Sequence, residues 1–414
     1  MAGLFPLLCA ALPSLWKSRD ALQNAALGQL EFARSAKQEQ IRSYFQERNH
    51  DLAILSNTIA SKCLEAESKM TVIQAAQSAA TATLFQKFVD DIGAQQDRSI
   101  CTKAQEVYRA FIETGEKTPE YERYASIVDG FVSSQLYTGY YVVGQDGRCL
   151  YCAGGGPVLH ADLLAANLAG SGLGRVVAKV RDTGEVAIED FSAFEFAENA
   201  MVAFIGAPIL NGGAKDGVIV LQIPADPINA IAQSRTGMSA GEDSYFVGRV
   251  NGETSYRNQR VIKEGVFGGK RTGDFIDEAL GGKTGSILRL DIKGNAALTC
   301  FSPIPLPGGF EWMVATTQPL EDMFAGSGEA GTSDYLADYA KSSGYQDLEL
   351  IYPEGQVFYT VGKKADYKSN VISGELKDSS LGRLVRTVLK SGAAAFADFE
   401  PYAPNEGMPV AFLG

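Results

Sequence analysis

Histidine is scarce in this chain of 414 residues, which has two, His50 and His160. A zinc hydrolase or a Ser–His–Asp site would have to use one of them. His50 falls in a charged helical stretch and His160 follows a glycine-rich loop, so both read as surface side chains. Six cysteines are too few to build a disulfide scaffold at this length. Cys149 and Cys152 form a C-x-x-C, but it reads as a strand after a hairpin and has no second pair. Basic residues are fewer than acidic ones, 37 against 49, and the net charge of −12 argues against a nucleic-acid partner. Phosphate-loop chemistry is excluded as well: Gly282–Lys283–Thr284 has Asp277 where the loop's first glycine belongs. The GSGLG run ending at Gly174 lacks the third glycine and the preceding strand of a dinucleotide loop. No residue is assigned a catalytic, metal or cofactor role, and the chain is not expected to be an enzyme.

Long apolar runs are also missing. Residues 4–16, LFPLLCAALPSLW, fall short of the roughly 20 that a bilayer crossing needs. They contain Pro6 and Pro13 and follow no basic segment, so they make a poor signal peptide. They read as the remnant of a membrane anchor, or as a buried cap on the helices that follow. Proline is then absent from Lys17 to Thr118, in a stretch rich in Ala, Gln, Glu, Lys, Arg and Leu. That composition is helical. Leu27, Leu30, Ile41, Tyr44, Phe45, Leu52, Leu55 and Ile59 recur at helical spacings, with charges between them. One helix over 19–61 would be about 65 Å long at 1.5 Å per residue. Its expected partners are helices over 70–93 and 99–114, or the same helix of a second subunit.

Past residue 130 the chain repeats itself. Residues 131–206 recur as 339–414 without a gap, with about 21 identities in 76 positions. Ser171, Leu173, Gly174, Arg175 and Val177 match Ser379, Leu381, Gly382, Arg383 and Val385. Asp190–Phe191 matches Asp398–Phe399. A repeat sets architecture before any residue is read for chemistry. Two β-rich runs flank the hairpin signal Asp146–Gly147, whose copy is Pro353–Glu354–Gly355. A helix-like stretch, 162–181, and strands over 186–191, 201–208 and 217–223 complete one α+β unit with an antiparallel sheet. Asp226 is expected to cap the next helix, with Pro227 in its first turn. A smaller sheet unit follows, with strands over 244–250, 286–291, 296–303 and 310–316 and a helix over 274–280. GSGEAGT, 326–332, is a linker. The second copy stops before the strand that would close its sheet, so open strand edges are expected there. Residues shared by both copies are expected to serve the fold.

The order of segments carries a family likeness. ALGQLEFARSAKQEQIRSYF, SGLGRVV, the stretch from Asp190–Phe191 to AFIGAPI, GVIVLQIPADPINAIAQSR and SAGEDSYFVG together resemble the double Cache (tandem PAS-like) sensor region of bacterial transmembrane receptors, most of all methyl-accepting chemotaxis proteins. The likeness covers most of 22–324 and starts again near residue 334. It implies an α+β chain: a long-helix bundle, then tandem PAS-like antiparallel-sheet units, then a partial second copy. The boundaries are an apolar segment 1–16, helices 17–130, a membrane-distal sensor unit 131–235, a membrane-proximal unit 236–325, a linker 326–333 and the incomplete copy 334–414. The implied function is an extracytoplasmic, periplasmic sensor of a membrane receptor that binds a small molecule in the distal unit. An input module of a sensor kinase or nucleotide cyclase, and a structural or adhesive surface protein, stay open beside it. The implied partners are the ligand, the membrane through the N-terminal segment, and a second subunit through the long helices. The arginine–x–tryptophan–tyrosine motif of the amino-acid-binding branch is absent, and Gln222 stands where that branch has an aspartate. An amino-acid ligand is therefore not assigned. Small-molecule sites are apolar with a few placed polar groups. The candidate ligand-binding residues are Tyr141, Tyr151, Arg175, Asp190, Phe191, Phe194 and Gln222.

Overall fold

The computed structural model describes residues 4–96, 99–134, 136–290, 295–324 and 334–414, with side chains described from residue 16 onward except those of Ser99 and Ile100. The expected linker 326–332, the end of the strand expected over 286–291 and the side chains of 4–15 lie outside the described residues. Among the described residues, no helix is long and apolar enough to cross a membrane. The chain divides into two compact units, Met1–Lys62 with Leu336–Gly414, and Cys63–Tyr335.

Three helices come first: α1, Leu4–Gln96, α2, Ser99–Thr114, and α3, Pro119–Ser134. The expected break between 61 and 70 does not occur. Residues 62–69 hold no glycine or proline and are mostly good helix formers, so nothing interrupts the hydrogen-bond ladder. The segments expected to pair as separate helices are one helix. Thr118 caps α3 by accepting from the Tyr121 N–H at 3.2 Å, and Pro119 opens it with its fixed φ.

The unit Cys63–Tyr335 holds two sheets of identical topology. The first comprises β1, Gly139–Gly144; β2, Cys149–Cys152; β3, Ala187–Phe194; β4, Ala200–Asn211; and β5, Ala214–Pro224, in the order β2-β1-β5-β4-β3. Helix α4, Gly172–Thr183, connects β2 to β3. Helix α5, Asp226–Ala232, leads to the second sheet. This has β6, Asp243–Val250; β7, Glu253–Tyr256; β8, Gly285–Leu290; β9, Ala296–Ile304; and β10, Glu311–Pro319, ordered β7-β6-β10-β9-β8. Helix α6, Asp274–Leu280, precedes β8, and α7, Leu320–Phe324, follows β10. Strand β7 was not legible as a strand: it is four residues, Glu-Thr-Ser-Tyr, with no apolar alternation. Asp226 does not cap α5 through its side chain. It is the first helical residue, where its charge favours the helix N-terminus.

Helix α4 starts ten residues later than 162 because Ser171 sets its cap. The Ser171 Oγ accepts from the Gly174 N–H at 3.0 Å, and Gly184 ends the helix in the left-handed region. The second copy reproduces both devices with Ser379 and Gly392. Gly174 is required by space: a Cβ there would lie 2.2 Å from the Leu168 carbonyl oxygen and 2.8 Å from that of Leu163. Gly382 is crowded the same way by Val371 and Leu376.

The second copy contains α8, Tyr335–Ser342; β11, Glu349–Ile351; β12, Val357–Thr360; α9, Ser380–Ser391; β13, Phe396–Pro401; and β14, Pro409–Leu413. Its strands form two separate ribbons, β11-β12 and β13-β14. In the first copy β5 lies between the equivalent pairs. The two copies dock on α1 through one equivalent tyrosine each. The Tyr137 hydroxyl donates to Asp91 Oδ2 at 2.6 Å, and the Tyr345 hydroxyl donates to Asp51 Oδ2 at 3.1 Å.

Candidate functional site

Side chains alternate across a strand, so each face of the first sheet is a different environment. One face meets α4 and buries Tyr141, Val143, Cys149, Phe194, Phe204 and Val220, among others. The other meets α1, α2 and α3 and buries Tyr140, Val142, Tyr151, Phe191 and Leu221.

The α4 face is apolar except for one chain of hydrogen bonds. The Tyr141 hydroxyl donates to Gln222 Oε1 at 2.6 Å, and Gln222 Nε2 donates to Thr138 Oγ1 at 3.0 Å. Tyr141 and Gln222 are both buried, 4% and 5% exposed. Burial pushes the Tyr141 phenol well above its ordinary value, with Cys152 and Cys149 adding to it, so the hydroxyl stays a donor. Donation to Oε1 in turn aims the amide nitrogen at Thr138. Around this relay sit Phe204, 6.4 Å from the Tyr141 ring centre, and Phe194, 5.1 Å from Phe204. The thiols of Cys149 and Cys152 are free and buried. Burial pushes both up, Cys152 to about 11, so they are inert neutral groups in this wall.

Arg175 does not enter this space. Its Nε donates to Glu189 Oε2 at 2.8 Å and its Nη1 to the Gly170 carbonyl at 2.6 Å. Arg383 of the second copy holds the equivalent Asp378 carbonyl at 2.5 Å, so this arginine ties down the start of the helix in both copies.

Three further candidates lie on the opposite face, which corrects their expected grouping with Tyr141 and Gln222. Tyr151 stacks on Tyr108 at 4.4 Å and donates to Asp129 Oδ1 at 2.8 Å. Phe191 packs 6.0 Å from Trp312 and 5.1 Å from Phe267. Asp190 accepts from Arg257 Nη2 at 2.9 Å, from Arg257 Nε at 3.1 Å and from Trp312 Nε1 at 3.0 Å. It therefore binds the first sheet to the second. The cause is a bulge between Glu189 and Ser192, which turns the consecutive Asp190 and Phe191 to one side. The turn itself is shared: Asp190 Oδ1 accepts from the Phe191 N–H at 2.7 Å, and Asp398 accepts from Phe399 at 2.8 Å. Asp398 is exposed and makes no second-sheet contact of this kind. On the same face a cavity of about 20 Å³ lies between Gln95, Cys101, Tyr124, Phe131 and Tyr140. That is room for one water.

Sequence reading missed Thr138, Arg257 and Trp312. Thr138 had a signal in hindsight, a polar residue at the mouth of β1. Arg257 is 67 positions from its partner and nothing local marks the pairing. His50 and His160 are exposed, and among the described residues no group of His, Cys, Asp or Glu is arranged to hold a metal.

No protein-family model matches the chain, and no curated protein matches its sequence. Solved structures do match. The chain is similar in structure to chemoreceptor ligand-binding domains. The ligand-binding domain of the Pseudomonas aeruginosa PAO1 amino acid chemoreceptor PctB, in complex with L-Arg, aligns at 11% identity and TM-score 0.43, over 63% of this chain and 98% of that one. That of the Pseudomonas fluorescens chemoreceptor CtaA, in complex with L-serine, aligns at 9% and 0.39, over 62% and 98%. An extracellular ligand binding receptor from Desulfohalobium retbaense aligns at 13% and 0.39, over 59% of this chain. Only 39% of that receptor's length is matched.

Proposed function

We propose that this chain is the extracytoplasmic sensor region of a membrane signalling receptor and that it binds a small molecule on the α4 face of the first sheet. The observation that carries the reading is the buried Tyr141–Gln222 pair in an otherwise apolar wall, linked through the Gln222 amide to Thr138 at the exposed start of β1. Buried polar groups are costly unless they are paired, and a paired relay gives a ligand both donors and acceptors to exchange with. Tyr141, Phe194 and Gln222 are the ligand-contacting residues in this reading. Asp190, Phe191, Tyr151 and Arg175 act outside the site, through the contacts described above. The loop after β2 contains Gly154, Gly155 and Gly156, all at positive φ and exposed, and in this reading is the way in.

Signalling needs no chemistry in this scheme. Ligand binding favours one of two packings of the helices against the sheet and shifts their populations. A homodimer along α1 fits the exposure of Leu27, Leu30, Ile41 and Tyr44, which stand at heptad-like spacing. The test is a thermal-shift screen of small metabolites on the full chain, followed by calorimetry on any hit. Tyr141→Phe and Gln222→Ala should each weaken the hit about tenfold, the scale of a lost buried hydrogen bond. A hit that survives Tyr141→Phe, Phe194→Ala and Gln222→Ala together places the ligand elsewhere and ends this reading.

A further inference from the structure

The second copy replaces the apolar wall of the first with acids. Position for position, Tyr141, Val158 and Phe194 become Glu349, Asp366 and Tyr402. The Tyr402 hydroxyl donates to Asp366 Oδ2 at 2.9 Å. Asp366 is 1% exposed, and its other oxygen, Oδ1, has no hydrogen-bond partner. Glu349 Oε2 is also shut off from solvent without a partner. Asp347 stands beside them, and its Oδ1 accepts from the Leu348 and Gly362 N–H groups at 2.8 and 3.0 Å. The nearby cation, Lys364, donates to Asn405 Oδ1 at 2.8 Å and pairs with none of the three acids. On α9, Arg383 is turned outward to Glu400.

Three carboxyl groups thus face one committed lysine, and two of them, Glu349 and Asp366, present buried oxygens that no N–H donor reaches. Buried charge persists only when paired, so the site lacks a positive partner. Among the described residues no acidic group has the arrangement of a metal site. An ammonium group suits the position instead: it carries three N–H donors and no acceptor.

We propose that the C-terminal module, 336–414, binds a small organic amine in its cationic form, between Glu349, Asp366 and Tyr402. This site is separate from the one in the first sheet, and either stands if the other falls. Without the amine the carboxyl pair holds a proton in its place. Burial pushes Glu349 up to about 8, with repulsion from Asp366 and Asp347 and a shared-proton hydrogen bond to Asp366 adding, and Lys364 opposing. The amine displaces that proton, so its affinity rises with pH until Glu349 is ionised by itself, near pH 8.

Calorimetry of the full chain with ethylammonium and putrescine tests this, with ethanol and 1,4-butanediol as neutral controls. The expected result is saturable binding of the amines and none of the alcohols. Affinity should rise by up to about tenfold per pH unit between pH 6 and pH 8, with about one proton released below pH 7. Glu349→Gln and Asp366→Asn should each weaken binding at least about tenfold. Glu349→Gln mimics the protonated carboxyl, so it keeps the fold and removes only the charge. Gln222→Ala in the first sheet should leave amine binding unchanged. The proposal is overturned if neither amine binds between pH 6 and pH 8, if binding survives both acid variants, if the alcohols bind equally, or if Gln222→Ala abolishes it.

Discussion

Asp190→Ala should be among the most damaging single changes in the unit Cys63–Tyr335. Arg257 is 1% exposed, and Asp190 is its only carboxylate partner among the described residues. Removing the carboxylate leaves Arg257 with the Ser255 hydroxyl and the Ser255 and Tyr256 carbonyls, and leaves Trp312 Nε1 without its acceptor. Breaking one side of a buried ion pair costs about 3–5 kcal/mol, because the remaining charge is uncompensated. At about 2–4 °C per kcal/mol for a domain of this size, the melting temperature should fall by roughly 10 °C. Urea unfolding followed by Trp312 fluorescence reads the effect, in a Trp16→Phe background, because Trp16 is exposed and Trp312 is fully buried. The double variant Asp190→Leu/Arg257→Met removes both charges and should recover most of the loss. If Asp190→Ala costs less than about 1 kcal/mol, or the double variant is worse than the single one, the two sheets are not held by this pair and the argument fails.

Gly174→Ala should cost several kcal/mol, because its Cβ would sit 2.2 Å from a backbone oxygen, whereas Gly130→Ala in open space on α3 should stabilise by about 0.5–1 kcal/mol; thermal melts of the two decide it. The Glu349 carboxyl keeps its proton in the fold up to about 8 against an ordinary 4.5, so the folded state holds a proton that the unfolded chain has lost. Stability of the C-terminal module should therefore fall as pH rises between those values, and Glu349→Gln should flatten the slope; protection of the β11 amides, corrected for the intrinsic rise of exchange with pH, would stay constant in the parent if this is wrong. Tyr137→Phe and Tyr345→Phe each remove one hydrogen bond to a carboxylate of α1, so each should cost about 1.5–3 kcal/mol and speed amide exchange in its own copy only. Equal loss of protection in both copies from either variant would contradict that.

Much of the fold was readable along the chain because its signals are local. Helix α2 and helix α6 fall on the residues expected, since composition and apolar spacing are short-range properties. The register of the repeat carried the Ser171 and Ser379 caps and the crowded glycines Gly174 and Gly382 to the same places in both copies. Strand β7 was invisible because four polar residues in a row carry no period-two pattern. The candidate site was legible only in part. Tyr141, Phe194 and Gln222 do share a face, but two bulges broke the alternation that would have sorted the others. The shift between Val142 and Val143 turns Leu150 and Tyr151 toward the same side, and the one after Glu189 does so for Asp190 and Phe191.

What the amino-acid order determined alone is the list of parts: a long helix, an α+β sheet unit, a smaller one, and a second copy of the first. Tertiary structure decided what each part touches. Asp190 and Asp398 sit in identical turns, yet one is locked to Arg257 and Trp312 and the other faces solvent. Tyr137 and Tyr345 are the same residue of the repeat, yet their partners on α1 belong to no repeat at all. Local pattern follows from backbone sterics and burial within a few residues of chain. Contacts between distant segments follow from packing whole surfaces together, and no short stretch of sequence records them.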